Sequence, residues 1–358
     1  MIKVLIVCNR NSYTNPYVST LADGLIDIGC NVTCSLSEFW SNAYSYNIIH
    51  IQWPNLLATH KIQNGESIEE IFNNLKQKNI PIIATLHNLK PHYTKNANII
   101  KTYNLVYKNA DCFIHLGAAS IDLLKKQICN TKAEHYIVFH HAYDQLYNME
   151  ISKLECRKKL GISKNSKCIL CFGAFRDDEE RKMIIDLKKK TKDSYFYIVP
   201  NFYNTEAIIQ KNILHGIIAL YKTIKYKIIA RVCHFYTSNC LVPEEKLPLF
   251  LKAADVMLIQ RLKILNSGNV PLAMLAGLPI VGPSEGNVGW ILKKTGNFCF
   301  DTNHLNDLPN IIEEAFFKKD LGLSNKIFAE KNLSTENIAH QTKEIYQEMI
   351  EKFKTFHH

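Results

Sequence analysis

One loop, residues 260–269, carries residues suited to bind an anion. It joins a predicted strand to a predicted apolar helix, where Asn266 or Ser267 can cap the helix and Gly268 lets a ligand approach the backbone. The first amides of a helix point outward without partners, so they attract phosphate groups. The pattern predicts a bound diphosphate, and an ordinary capped helix beside a solvated basic loop fits it equally well. The candidate contacts are Arg261, Lys263, Asn266, Ser267, Gly268 and Asn269.

A second loop, residues 172–182, has the same position between a predicted strand and a predicted helix. Arg176 or Arg181 in this loop can reach the same phosphate, because a guanidinium offers a planar fork of donors. The alternative is local pairing of these arginines with the acidic residues that begin the helix, which is a common arrangement.

Histidines at or near predicted strand ends form a third candidate site in the first half of the chain: His87, His92, His115, His140 and His141. Histidine is the usual general base near neutral pH. A single histidine at a strand end is more often a hydrogen-bonded structural residue, whereas five at one predicted edge favour a functional role. Their spacing matches no helix or hairpin pair of metal ligands, so we expect no metal cofactor.

Short apolar runs alternate with longer amphipathic segments, an order typical of parallel α/β sheets with helices on both faces. The alternation breaks at a polar stretch over residues 142–153 and then restarts. We therefore predict an α/β protein of two doubly wound, Rossmann-like domains, residues 1–145 and 146–334, facing each other across a cleft. A long amphipathic helix follows within residues 335–358.

Within the second domain, residues 218–229 predict either a helix or a strand, and residues 232–236 predict a strand. Ligands of open parallel sheets bind beyond the carboxyl ends of the strands. The loops described above follow predicted strands, so we expect them at these edges. Phe235 and Tyr236, at another strand end, are the candidate nucleobase contacts.

Composition narrows the class of protein. The 358 residues are 47% hydrophobic and 21% charged, which excludes collagen-like, disordered and small disulfide-rich chains. The net charge of +10 divides into +1 for residues 1–155 and +9 for residues 156–358. A basic second half indicates an anionic partner, either phosphate, nucleic acid or an anionic membrane. The odd number of cysteines, 11, and a start that reads as a strand predict reduced thiols and a cytoplasmic location.

The second half resembles the donor domain of GT-B nucleotide-sugar glycosyltransferases, especially glycosyltransferase family 4. The resemblance rests on Leu-Val-Pro-Glu-Glu-Lys-Leu at 241–247, Ala-Ala-Asp at 253–255, the segment 266–281, and Gly-x-x-Gly at 286–289. Phe172, Gly173 and Arg176 resemble the family's phosphate-binding loop at a strand end. His-Ile-Gln-Trp-Pro at 50–54 and Thr-Leu-His-Asn-Leu at 85–89 resemble segments of the acceptor domain, so the similarity covers nearly the whole chain.

The sequence departs from the family at two places. Most family-4 enzymes carry two glutamates separated by seven residues, and Ile264 and Leu272 occupy those positions here. The Gly-Gly pair common after the first strand is also missing, and residues 9–15 stand in its place. We interpret the chain as a divergent member in which Ser267, Gly268 and Asn269 hold the phosphates. A non-catalytic relative that binds a glycan or a partner transferase is the alternative.

The resemblance implies hexosyl transfer from a nucleotide sugar to a glycan or lipid-linked acceptor, without a metal, and a C-terminal helix that packs back on the first domain. It implies His87 as the catalytic residue. The lysines at 188–190 and 222–227 predict contact with an anionic membrane surface at the inner face of the membrane, with a solvated face as the alternative. Nucleic acid is excluded as a partner because no stacking platform accompanies these lysines. The candidate acceptor contacts are Asn9, Asn15, Trp53, Asn88, His115 and His140.

Overall fold

The computed structural model describes residues 1–10, 15–59, 67–91, 96–128, 132–191, 194–203, 213–238, 242 and 246–355. The chain divides into two compact units, each described here by itself. Unit 1 comprises Met1–Gln145 and Lys331–His358, and unit 2 comprises Leu146–Glu330.

Unit 1 contains a six-stranded parallel sheet. Its strands are β1 (Lys3–Val7), β2 (Asn31–Cys34), β3 (Ile48–Ile51), β4 (Ile82–Leu86), β5 (Cys112–His115) and β6 (Glu134–Ile137). Its first helices are α1 (Tyr17–Asp27), α2 (Leu36–Ser41), α3 (Pro54–Thr59), α4 (Ile68–Gln77), α5 (Ala97–Asn109) and α6 (Ala119–Gln127). The strand order is β2-β1-β3-β4-β5-β6. The central strands are nearly continuous apolar runs, as expected where helices cover both faces of a sheet.

Unit 2 contains a five-stranded parallel sheet. Its strands are β7 (Lys167–Leu170), β8 (Tyr195–Ile198), β9 (Val256–Leu258), β10 (Ile280–Pro283) and β11 (Phe298–Phe300). Its helices are α7 (Lys153–Leu160), α8 (Asp178–Lys190), α9 (Ile213–Val232), α10 (Leu247–Ala253), α11 (Asn269–Leu275), α12 (Gly286–Lys294), α13 (Leu308–Phe317) and most of α14 (Lys319–Asn332). The strand order is β11-β10-β9-β7-β8. The predicted pair of doubly wound α/β units is confirmed.

The last helix, α15 (Thr335–Thr355), belongs to unit 1 and packs against α1. The two helices approach closely at Gly24, where an added Cβ would lie 2.9 Å from Thr335 Cγ2. Asp144 Oδ1 accepts hydrogen bonds from the backbone amide and the hydroxyl of Thr335, both at 2.8 Å, which fixes the start of α15. None of the helices in the described part of the chain combines the length and the apolarity needed to cross a bilayer.

The predicted strand over residues 232–236 is wrong. Val232 ends the 20-residue helix α9, which resolves residues 218–229 as helical. His234 then adopts a left-handed conformation with φ of 53°, and Tyr236 forms a single bridge to Ile198. The apolar residues near 232 recur every three or four positions because they continue the helix rather than start a strand.

Candidate functional site

The carboxyl edge of the unit 1 sheet gathers aromatic and imidazole rings. Trp53 follows β3, His87 follows β4 and His140 lies beyond β6. The Trp53 indole stacks on the His87 ring with centroids 4.6 Å apart, and the Tyr17 ring meets His87 and His140 edge-on at 4.8 and 4.7 Å. Three of the residues predicted from the sequence therefore come together at this edge, around a tyrosine that was not predicted.

Two further rings complete this group. His141 stacks on Tyr17 with centroids 4.8 Å apart, and its Nε2 donates to the Tyr17 carbonyl at 3.0 Å. The Tyr143 hydroxyl donates to Asn15 Oδ1 at 2.7 Å, which joins the exposed Asn15 to the group. We call these rings the imidazole cluster; its members are Tyr17, Trp53, His87, His140, His141 and Tyr143.

A chain of buried polar side chains leads from His87 to the C-terminal helix. Gln52 Oε1 accepts a hydrogen bond from His87 Nε2 at 2.8 Å, and Gln52 Nε2 donates to His50 Nε2 at 3.1 Å. His50 Nδ1 lies 2.6 Å from the Tyr346 hydroxyl, and Thr85 Oγ1 lies 2.7 Å from His50 Nε2. An amide oxygen can only accept, so His87 carries its proton on Nε2 and its lone pair on Nδ1. His50 lies in the apolar strand β3 and Gln52 directly follows its end, and two polar residues two positions apart in an apolar run were a signal in the sequence.

The environment keeps these imidazoles uncharged. Burial lowers the pKa of His50 and of His87 to about 3, and the nearby His140 and His50 add to the effect at His87. Burial also lowers the pKa of His140 to about 4. All three rings are therefore neutral at pH 7, which is the form that can accept a proton.

One of the predicted acceptor contacts, His115, is buried, and two others, Asn9 and Asn88, are not part of the imidazole cluster. His115 is fully buried, with Nδ1 2.9 Å from Ser120 Oγ and Nε2 2.9 Å from His135 Nδ1, so its predicted contact with an acceptor is wrong. Asn9 Oδ1 accepts from the Leu36 amide at 3.0 Å, while the half-buried Asn88 follows His87. His92 lies outside the described residues.

At the carboxyl edge of the unit 2 sheet, the loops after β7 and β9 are tied together. The Phe172 carbonyl accepts from Asn269 Nδ2 at 2.7 Å and from Gln260 Nε2 at 3.2 Å. The next residue, Gly173, has φ of 107°, and an added Cβ there would lie 3.1 Å from Asn269 Nδ2. Glycine is therefore required for this close junction, because other residues rarely adopt that conformation.

An exposed arginine and an exposed lysine lie on the two loops of this junction. Arg176 Nη1 donates to the Lys263 carbonyl at 3.0 Å, so the arginine from one loop lies against the backbone of the other. Both side chains are exposed. This places two positive charges on the edge where ligands of parallel sheets bind.

A buried carboxylate accepts hydrogen bonds from both loops. Glu180 is only 1% exposed, and its Oε2 accepts from the Arg176 amide at 2.8 Å and from Arg261 Nη1 at 2.7 Å. Glu180 is not among the predicted site residues, because it is one of four consecutive acidic residues at the start of α8 and only the fold shows which of them turns inward. The Glu180 contact makes Arg261 part of the support for the loop rather than an exposed phosphate contact.

Arg181 is also a structural residue, so its predicted role at the diphosphate is wrong. It is buried, Nε donates to the Phe202 carbonyl at 2.9 Å, and Nη1 donates to the Asp177 carbonyl at 3.0 Å. Its guanidinium carbon lies 5.3 Å from the Phe175 ring centroid and 4.8 Å from that of Tyr226. Aromatic faces and carbonyls hold this charge inside unit 2.

The start of α11 differs from the prediction that Asn266 or Ser267 caps it. Gly268 occupies the cap position in a helical conformation, without a capping side chain, and Ser267 Oγ accepts from the Asn269 amide at 3.3 Å. Asn266 Oδ1 instead accepts from Asn287 Nδ2 at 2.8 Å, which connects this loop to the start of α12.

The two candidate nucleobase contacts have different environments. Phe235 is buried among core aromatics, with its ring centroid 5.6 Å from that of Tyr197 and 5.0 Å from that of Phe202, so its predicted contact with a base is wrong. Tyr236 is half-buried beyond the end of β8, and its ring centroid lies 5.8 Å from that of Phe250. Tyr236 stays a predicted base contact.

Replacing Glu180 with alanine is expected to destabilise unit 2 by about 3 kcal/mol, because Arg261 would keep a charge in a largely buried site without its partner. Urea denaturation measures the loss. Glu179→Ala is the matched control, since Glu179 is exposed on the same turn and its removal should cost less than about 0.5 kcal/mol. Equal losses for the two variants would contradict the role given to Glu180.

Among the described residues, no group of three or more His, Cys, Asp and Glu side chains is arranged to hold a metal ion.

Known proteins resemble this chain in different degrees. No protein-family model matches it. It is 31% identical over 87 residues to a GDP-mannose:glycolipid 4-beta-D-mannosyltransferase of Xanthomonas campestris pv. campestris. That match covers 23% of this chain and 24% of the relative, so only about a quarter of the relative's length is matched.

Solved structures resemble the chain over nearly its whole length. Sucrose-phosphate synthase from Thermosynechococcus elongatus has a TM-score of 0.70 at 13% identity, covering 98% of this chain and 99% of that one. HepE from Anabaena, solved in complex with UDP, has a TM-score of 0.71 at 12% identity, covering 97% of this chain and 100% of that one. The GT-B fold that the sequence resemblance implied is confirmed.

Proposed function

We propose that this chain is a glycosyltransferase that moves a sugar from a nucleoside diphosphate sugar to a hydroxyl group of a glycan or a lipid-linked acceptor. The fold it shares with HepE, a protein solved with UDP, supports the donor class. The partial similarity to an enzyme named for GDP-mannose and a glycolipid supports both substrate classes. The observation that carries the proposal is the exposed pair Arg176 and Lys263 at the edge of the unit 2 sheet.

In this proposal the edge of unit 2 holds the donor diphosphate. Arg176 and Lys263 supply the positive charge. Ser267, Gly268 and Asn269, on the loop that begins α11, hold the phosphates beside them. The bond between the anomeric carbon and the diphosphate oxygen breaks with its electron pair passing to the diphosphate. Fixed cations near that oxygen stabilise the growing negative charge, so the reaction needs no metal ion.

The imidazole cluster of unit 1 takes the acceptor in the same proposal. The acceptor oxygen forms the new bond to the anomeric carbon and gives up its proton. The neutral His87 accepts that proton on Nδ1, since its Nε2 already donates to Gln52. Trp53 places an aromatic ring beside His87, and Asn15 and His140 provide polar groups, a combination suited to a sugar or glycolipid hydroxyl.

Calorimetric titration with UDP and with GDP tests the donor site. Arg176→Ala is expected to weaken binding of the favoured diphosphate by about tenfold to a hundredfold, the value of hydrogen bonds to a charged group. Ser267→Ala is expected to weaken it less. Lys189→Ala is the control, because Lys189 is an exposed cation on α8 away from this junction. Normal binding by Arg176→Ala would show that the donor site is elsewhere.

A non-catalytic relative that binds a glycan or a partner transferase is a second candidate, favoured by Ile264 and Leu272 at the positions of the family's glutamates. A panel of UDP- and GDP-sugars separates the candidates. Transfer or hydrolysis of any donor supports the transferase. Diphosphate binding without turnover supports the second candidate, and epimerised donor would assign a sugar-nucleotide 2-epimerase.

A further inference from the structure

Helix α9 presents an apolar face to solvent. Side chains along it are between 51% and 73% exposed: Ile217, Leu220, Tyr221, Ile224, Ile228 and Val232. Five of these, at positions 217, 221, 224, 228 and 232, recur at intervals of three or four residues and therefore form one continuous stripe along the helix. A stripe of large apolar side chains with this exposure is unusual on a protein that is surrounded only by water.

The opposite face of α9 is the one that packs into unit 2. Ala219, Tyr226 and Ala230 are buried, and Tyr226 lies against Phe202 and the guanidinium of Arg181. Lys222 reaches Asp178 at 3.1 Å, which also holds this side of the helix to α8. The exposed stripe therefore points away from the unit that anchors the helix.

Positive charges border the stripe on both sides. Lys225 follows one margin, while Lys227 and Arg231 follow the other, and all three are exposed. The sequence of Ile213–Val232 contains no aspartate or glutamate. Beyond the end of the helix, burial raises the pKa of the Cys233 thiol and the charges of Lys189 and Lys188 oppose that rise, which shows that these lysines lie nearby.

We propose that α9 docks unit 2 on an anionic lipid bilayer, with its apolar stripe inserted among the acyl chains and its cations among the headgroups. An apolar face bordered by lysine and arginine is the pattern of helices that lie in the plane of a membrane interface. The cations complement anionic lipid headgroups, each adding to the attraction. A second copy of the chain fits less well, because pairing two such faces would bring like charges together with no carboxylate on the helix to offset them.

This surface goes beyond the proposed enzyme activity, since it concerns where unit 2 resides and not what it converts. It lies on α9, whereas the donor contacts lie on the loops before α8 and α11. The two proposals can therefore fail separately.

Sedimentation with vesicles of phosphatidylcholine and phosphatidylglycerol tests the docking. The unmodified chain is expected to bind these vesicles and to bind more tightly as the phosphatidylglycerol fraction rises. Ile228→Glu is expected to lower the partition coefficient by about tenfold or more, because it places a charge in the inserted stripe. Ile327→Glu is the matched control, since Ile228 and Ile327 are both 55% exposed and Ile327 lies on α14.

A second variant separates the contribution of charge to vesicle binding from the contribution of the inserted apolar side chains. The triple variant Lys225→Ala, Lys227→Ala, Arg231→Ala is expected to lose most of the dependence on phosphatidylglycerol. Circular dichroism and urea denaturation confirm that each variant is folded. The proposal is overturned if the unmodified chain does not bind anionic vesicles, or if Ile228→Glu and Ile327→Glu lower the partition coefficient equally. It is also overturned if the chain is a dimer in solution that Ile228→Glu converts to a monomer.

Discussion

Replacing His87 with glutamine is expected to lower kcat by about 10²–10⁴-fold, the usual contribution of a general base. Glutamine can keep the hydrogen bond to Gln52 Oε1 through its amide nitrogen, so the buried chain of polar groups stays occupied. What it lacks is a basic lone pair in place of Nδ1. Steady-state kinetics with the sugar donor found by the panel measures the effect. A higher KM with unchanged kcat would contradict the base and assign His87 to acceptor binding alone.

His115→Gln is the matched control for this prediction. His115 ends the strand next to β4 and is also buried, but its partners are Ser120 and His135 rather than the imidazole cluster. The kcat of His115→Gln should stay within about threefold of the kcat of the unmodified chain. Tyr346→Phe removes the far end of the polar chain, and a fall in kcat smaller than that of His87→Gln is expected, because His50 keeps Thr85 as a partner.

The pH profile gives the same prediction a second readout. Burial lowers the pKa of His87 to about 3, so the base is already in its neutral form well below pH 6. We therefore expect kcat to show no acid limb near the ordinary histidine pKa of about 6.5. A limb with its midpoint near pH 6.5 that disappears in His87→Gln would show that His87 titrates normally.

Unit 1 is expected to lose several kcal/mol of stability between pH 6.5 and pH 5. Burial lowers the pKa of both His50 and His115 to about 3, whereas in the unfolded chain they titrate near 6.5. Below pH 6.5 the unfolded state therefore binds protons that the folded state excludes. The stabilisation is complete above pH 6.5 and falls as the pH decreases, and the loss amounts to about 2 kcal/mol per histidine at pH 5.

The carboxyl group of Asp111 has the opposite effect on the pH dependence of stability. Burial raises the pKa of Asp111 to about 6, so the folded state takes up a proton there before the unfolded state does. This gain is about 1.3 kcal/mol at pH 5 and offsets part of the loss from one histidine. The cluster histidines, with pKa values lowered in the same way as that of His50, keep the net effect destabilising.

Urea denaturation at several pH values measures this loss. A Trp290→Phe background leaves Trp40 and Trp53, both in unit 1, as the fluorescent probes. His115→Asn should flatten the pH dependence by removing one group whose pKa burial lowers. A denaturation midpoint that stays constant from pH 7 to pH 5 would contradict the prediction.

Part of the site followed directly from the sequence. Apolar runs separated by helical segments predict parallel sheets, and the carboxyl ends of parallel strands share an edge. Trp53, His87 and His140 were therefore expected to be neighbours, although up to 87 residues separate them. The loops at 172–182 and 260–269 were predicted to meet for the same reason, and the contacts of Phe172 with Asn269 and Gln260 join them.

Local patterns in the sequence predicted the alternation of strands and helices, and with it the loops that follow the strands, because apolar spacing and the succession of elements along the chain are local properties. Tertiary structure decided which polar groups at those edges are buried. Arg176 and Arg181 look equivalent in the sequence, yet Arg176 is exposed in the loop before α8, whereas Arg181 lies on the inward face of α8 and packs between aromatic rings. Likewise α9 is apolar on nearly every side, and only packing selects Tyr226 for the core and leaves Ile228 in solvent. Burial depends on residues far away in the chain, as His50 and Tyr346 show, and no local pattern encodes it.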